Sequence, residues 1–209
     1  MSSLMLAGAC SDRERAAETA LRTGGINLTA TSADTNHLPF ASLTLSVTDE
    51  LDLFVGDADV GSYLVCERPI KNTPLLQLTQ ENQPGSICIF TMVGNADLGP
   101  RESDLHWRDK HAPLALEVHT AMTHYYQLSV LHRFNGPMWN GFALCCFRNE
   151  DDLRNRFLIR QKAKPPSQGT LLNLLTPGNL RAGSYQPLHM PAIKLSHLLP
   201  QNDRVFATH

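Results

Sequence analysis

Hydrophobic and polar positions alternate with a period of two early in the chain. Ile26, Leu28 and Ala30 stand against Asn27, Thr29 and Thr31, and Leu43, Leu45 and Val47 against Ser42, Thr44 and Ser46. Each run is the signature of a strand with one buried face. Upstream, Ser3 to Cys10 is an apolar run of strand length, and Ser11-Asp12 offers a cap for an Arg/Glu/Ala-rich helix over Ser11 to Thr23 that Gly24-Gly25 end. Downstream, Thr48 or Asp49 caps a short helix from Leu51 to Val55, and Gly61 to Glu67 reads as a further strand. The predicted order of residues 1–70 is therefore β-α-β-β-α-β.

Residues 71–85 then read as a linker, because Pro69, Pro74 and Pro84 punctuate a stretch of Asn, Gln and Thr. From Ser86 the same order starts again. A strand from Ile87 to Val93, a helix, a strand from Tyr125 to His132 and a strand from Gly141 to Phe147 follow one another. Asn149-Glu150-Asp151-Asp152 next caps a helix with Leu153, Phe157 and Arg160 on one face. Residues 165–203 break the pattern with six prolines around a helical turn at Leu171 to Leu175, and Arg204 to Ala207 return as a last strand. The expectation is an α+β fold of two tandem ferredoxin-like units, 1–70 and 86–209, the second carrying an insertion at about 165–203.

The helix of the second unit holds the most informative stretch, Asp104 to Glu117. On a helical period Trp107, His111, Leu114 and Val118 share a stripe, with Asp104 a turn earlier, so His111 faces the sheet. Pro113 lies inside this run and removes a backbone donor, which predicts a kink or a new first turn. Trp107, Arg108, His111, Ala112, Pro113 and Leu114 resemble, in order and spacing, the Trp-Arg-x-x-His-Ala-Pro-Leu stretch of the EthD family. That resemblance implies a dimeric α/β barrel, two ferredoxin-like units packed around a central cavity. Relatives include polyketide dehydratases, cyclases and decarboxylases. Tyr125-x-Gln127 also resembles the family's Tyr-x-Gln, whereas Ser129, Leu144 and Cys146 depart from its usual histidine, acid and aromatic.

Chemistry concentrates at the same place. Histidine has a reference pKa near 6.5, so His111 could move a proton at neutral pH, with Asp104 or Asp109 orienting it and Arg108 steadying a developing anion. The bland reading gives His111 a structural hydrogen bond to the sheet. Trp107, Tyr125, Gln127 and Tyr126 are the residues expected to touch substrate. The function expected on the resemblance is a lyase, cyclase or dehydratase acting on a small apolar aromatic or polyketide-like molecule. A non-catalytic binding protein is the alternative, and a cofactor-free oxygenase the third. The helix of the first unit lacks counterparts to Trp107, Arg108 and His111, which predicts one intact site per chain.

Composition narrows the partners. The 209 residues carry 18 basic and 20 acidic side chains with no basic block, which gives no support to nucleic-acid binding, and no apolar run reaches membrane-spanning length. Five cysteines without a C-x-x-C pair read as reduced thiols of a cytoplasmic protein. No metal-ligand run, phosphate loop or nucleophile elbow is present, and His106 and His111, five apart, point to different faces of a regular helix. No metal or cofactor is expected. A further homodimer would form through helices or sheet edges.

Overall fold

The structure is a computed structural model that describes residues 3–30, 39–95, 97–153 and 193–194. It is an α+β protein. The elements run β1 (Ser3–Cys10), α1 (Arg13–Arg22), β2 (Ile26–Ala30), β3 (Ser42–Ser46), α2 (Leu51–Asp57) and β4 (Gly61–Lys71). After a short 3-10 turn (Leu75–Gln77) come β5 (Ser86–Met92), α3 (Pro100–His106), a π-helical turn (Trp107–His111), α4 (Ala112–Val118), β6 (His124–Asn135), β7 (Gly141–Phe147) and β8 (Ile193–Lys194).

Seven strands form one curled antiparallel sheet, and the two-residue β8 bridges its edges β2 and β5, giving the ring β1-β3-β2-β8-β5-β7-β6-β4. The order β4-β1-β3-β2 in the first half is repeated as β8-β5-β7-β6 in the same direction round the ring, with β4 and β6 paired where the halves meet. Helices α1 and α2 pack outside the first half, and α3 to α4 outside the second.

Alternation along the strands sorts the side chains. Ile26, Leu28, Leu43 and Leu45 point inward and share one core with Tyr126, Leu128, Phe142 and Leu144 of the other half. An aromatic group closes this core, with Tyr63 stacked on Trp139 at 5.6 Å and Phe142 edge-on to both. The central cavity implied by the resemblance is therefore filled by side chains. The polar face of the alternation is buried too: Asn27, Ser42, Thr44 and Ser46 lie under α1 and are satisfied by one another and by helix carbonyls, as in Thr44 Oγ1 to Ala16 O and Ser46 Oγ to Thr23 O. Val47 was expected inside but falls beyond β3 and is 63% exposed.

The capping expectations hold at α1, where the Asp12 carboxylate accepts from the Glu14 and Arg15 backbone N–H groups and Gly24 adopts φ of 62° after the helix. The linker differs from expectation. β4 runs on through Pro69 to Lys71 because it pairs with β6, with a register shift next to the proline, and Leu75 then folds back into the core. Asn149 Oδ1 accepts the Asp152 N–H as the expected cap, and Leu153 is buried, while Phe157, Arg160 and the turn at Leu171 to Leu175 lie outside the described residues. Within the expected insertion, Ile193–Lys194 takes the strand position predicted for Arg204 to Ala207, which also lie outside the described residues.

Glu67 continues the inward face of Tyr63 and Val65 and is 1% exposed. Its carboxyl accepts the Leu75 N–H at 2.7 Å, and burial raises its pKa above the ordinary value. Folded protein then holds a proton that unfolded protein releases near 4.5, so the contribution of Glu67 to stability is complete below that pH and falls as pH rises. Glu67→Gln keeps an acceptor and removes the charge; its denaturation midpoint should vary less between pH 5 and 8 than that of the parent. Glu67→Leu strands the Leu75 N–H and should cost about 1–3 kcal/mol in the same titration.

Candidate functional site

Pro113 shapes the site. In a regular α-helix its ring would meet the carbonyl of Asp109, and it has no N–H to donate there. The chain responds by widening the preceding turn: the Ala112 N–H bonds to Trp107 O, five residues back, before α4 resumes with Pro113 in its first turn. Gln127 Nε2, from the sheet below, donates a second hydrogen bond to the same Trp107 carbonyl at 3.0 Å. Positions five apart lie about 140° from each other on an α-helix. The π turn draws them together, so His106 and His111 line the same pocket, contrary to the sequence expectation.

That pocket, about 90 Å³, lies between α3, the π turn, the end of β5, the middle of β6 and Asn140 just ahead of β7. Met92, Leu98, Trp107 and Val130 supply apolar walls; Ser103, Asp104, His106, His111, Ser129 and Asn140 supply polar atoms. Trp107 is clamped. Its indole sits so close over Gly141 that a Cβ there would lie 2.6 Å from the ring, and the Arg68 guanidinium stands 5.5 Å from the ring centroid on the indole. Arg68 reaches Asp104 with both terminal nitrogens, and Ser129 Oγ donates to the same carboxylate. Three elements, α3, β4 and β6, are thereby tied at one carboxylate.

His111 is 7% exposed, and its Nδ1 is closed off from solvent with no hydrogen-bond partner among the described residues. Burial, with the charge of His106 second, pulls its pKa from 6.5 to about 4. The ring is neutral at pH 7. The structural hydrogen bond expected of it is missing at Nδ1; Gln127 and Asp104 hold the helix to the sheet instead. Ser103 Oγ and His106 Nε2 are likewise buried without partners among the described residues.

The expected site residues separate into four places. Asp104, Trp107 and His111 line the pocket. Tyr125 and Gln127 lie behind the π turn, where Gln127 also bonds the Tyr125 hydroxyl at 3.3 Å and burial pushes that hydroxyl's pKa up. Tyr126 points into the core and donates to Thr73 O at 2.8 Å. Arg108 is on the solvent side, bound to Asp109 through Nε at 2.6 Å, so neither it nor Asp109 reaches the pocket. Orientation of His111 by a carboxylate is likewise not observed: Asp104 belongs to Arg68 and Ser129, Asp109 to Arg108. Sequence reasoning missed Arg68, whose signal was a cation on the outward face of β4 ahead of Pro69, and it missed Ser103, His106 and Asn140, which only the π turn and the fold of the β5–α3 loop bring in. Cys88 and Cys145 face each other across β5 and β7 under the helix, with burial raising both thiols, which suits packing. Among the described residues no group of three His, Cys, Asp or Glu side chains is placed to hold a metal ion. No helix among them is long and apolar enough to cross a membrane.

No family model matches the chain, so membership of EthD is not established, and no curated protein matches. Among solved structures, an anthrone oxidase-like protein is similar at 8% identity and a TM-score of 0.49, over 84% of this chain and 86% of that one. A monooxygenase candidate from Lactobacillus acidophilus NCFM is similar at 11% identity and a TM-score of 0.36, over 79% and 82%. Both likenesses are too distant to carry an argument, and the site is read from its own geometry.

His111 should remain neutral in histidine-resolved NMR titration until the pH approaches about 4. Because its folded pKa lies below the unfolded one, its contribution to stability is complete above pH 6.5 and is lost as pH falls from there towards 4. His111→Leu should remove a loss on the order of 3 kcal/mol from the acid limb of the stability curve. Gly141→Val, which drives a side chain into the Trp107 ring, should cost about 1–3 kcal/mol and red-shift the indole emission.

Proposed function

We propose that the chain is a small-molecule-binding α/β-barrel protein whose ligand sits in the pocket beside His111. The observation that carries this is the combination of an apolar Trp107 wall with buried, unpartnered polar atoms on Ser103, His106 and His111. A few convergent polar groups on an apolar surface are what orient a small ligand. Trp107, Asp104 and His111 serve as contact residues; Gln127 and Tyr125 hold the π turn from behind. Catalysis is the second reading, favoured by the free ring nitrogen of a neutral His111. A pKa near 4 makes that ring a weak base at neutral pH, which places binding first. In the catalytic reading the reaction is the lyase or cyclase step of the EthD kind, or an oxygenation without cofactor.

The barrel itself we read as two ferredoxin-like units in tandem, 1–70 and 86–209 joined by 71–85. The repeated strand order and the core shared by Leu28, Leu43, Leu128 and Phe142 support it. One unit carries the pocket. Its counterpart surface under α1 is closed by the Asn27, Thr29, Ser42 and Thr44 hydrogen bonds.

Ligand-observed NMR with a fragment mixture tests the site. Fragments should bind the parent and not Ser103→Phe, which fills the pocket, at unchanged melting temperature; equal binding to both places the ligand elsewhere. For the tandem reading, unfolding free energy should not change with protein concentration over a hundredfold dilution, since a barrel completed by a second chain would lose stability on dilution.

A further inference from the structure

The ligand class follows from which hydrogen bonds the pocket has left over, an argument that rests on the binding reading above. Asp104 spends its oxygens on Arg68 and Ser129, and Asn140 Oδ1 accepts the Gly94 N–H at 2.6 Å. What remains is the Asn140 amide NH₂, the Ser103 hydroxyl and the two imidazoles. Asn140 and Ser103 offer donors, and each imidazole adds one when its free nitrogen carries a proton, so a ligand with acceptors is matched. The Arg68–Asp104 pair leaves no net charge beside the pocket, so a dianion such as a phosphate ester would go uncompensated, whereas a monoanion can be matched by one imidazolium.

We propose that His106 and His111 together recognise a small carboxylic acid, taking up one proton with its carboxylate. Both rings line the pocket, and each has a ring nitrogen shut off from water with no partner among the described residues. Burial disfavours charge on His111 and the neighbouring His106 disfavours it further, which limits the uptake to one proton. The other groups packed around His111 do not compete for that proton. Arg68 and Asp104 neutralise each other, while burial keeps Tyr125, Cys88 and Cys145 in their protonated, uncharged forms at neutral pH. Without ligand His111 stays neutral for lack of solvation; a bound carboxylate supplies the counter-charge that burial removed. No bond is made or broken: the proton comes from solvent and lies between carboxylate and imidazole.

Calorimetry with benzoate, benzamide and benzyl alcohol on the full chain tests this, in two buffers of different ionisation enthalpy at pH 5.5, 6.5 and 7.5. Benzoate should bind with uptake of close to one proton, its affinity rising towards tenfold for each unit of falling pH, and benzamide should bind at least tenfold more weakly at pH 5.5. His106→Gln and His111→Gln should each flatten that pH dependence. Equal binding of the neutral probes, or benzoate binding without proton uptake, overturns the proposal. If benzyl alcohol or benzamide quenches the parent's fluorescence but not that of Trp107→Phe, while benzoate does not bind, the pocket reading survives and the carboxylic-acid assignment fails. If no probe acts on Trp107, both fall.

Discussion

A proline that cannot occupy a regular α-helix is the constraint on which the pocket depends. Pro113 has no N–H for the Asp109 carbonyl and no room beside it, and the strain is relieved upstream by one five-residue turn. A kink would have released the same clash by bending the helix away from the sheet. The π turn keeps the helix against the sheet. Trp107 O, which carries the five-residue bond, is also held by Gln127 from β6, so the widened turn is stabilised where a free carbonyl would be buried. The geometry of His106, Trp107 and His111 is thus set jointly by a local rule and a tertiary hydrogen bond.

The second contribution is electrostatic. Arg68 and Asp104 are partly buried, and a pair at that depth repays its desolvation only when its hydrogen bonds are complete. Both terminal nitrogens of Arg68 are engaged by Asp104, and Ser129 takes a further position on the carboxylate, while Arg68 Nε is buried without a partner among the described residues. The pair adds little field to the pocket because it cancels. Its consequence is positional: it fixes α3 against β4 and β6 and leaves the Arg68 guanidinium on the Trp107 ring.

Much of the fold was legible because burial in this protein follows a period of two. The inward residues of the strands at 26–30 and 42–46 were readable from alternation, and Asp12 and Asn149 from capping chemistry. Alternation misled where it implied a solvated face, since the polar side chains of Ser42 and Thr44 are covered by α1 and pair among themselves. The site was half legible. Local spacing put Asp104, Trp107 and His111 on one side of a helix, and the structure keeps them together. Arg108 shares that stretch but a neighbouring acid, Asp109, holds it in solvent, where a charged side chain pays no desolvation. Arg68 sits 36 residues from its carboxylate partner in sequence, and no local pattern encodes such a pairing. His106 was excluded by applying α-helical periodicity across a turn that Pro113 had already made impossible.

The two halves end differently because their outer faces solve the same burial problem with different side chains. Under α1, short hydroxyl and amide groups on β2 and β3 hydrogen-bond to one another and to the helix, which draws Ala16, Thr19 and Ala20 down onto the sheet. Under α3 and the π turn, the equivalent face carries Tyr125, Gln127 and Ser129, and the helix carries Trp107 across the glycine at 141. Large aromatic groups span the distance at a few points and cannot fill the space between them, so walls form where the first half has contact. The polar atoms left on those walls are buried without partners among the described residues, each worth a hydrogen bond to whatever can reach it. One half can therefore carry a pocket while the other keeps the barrel closed.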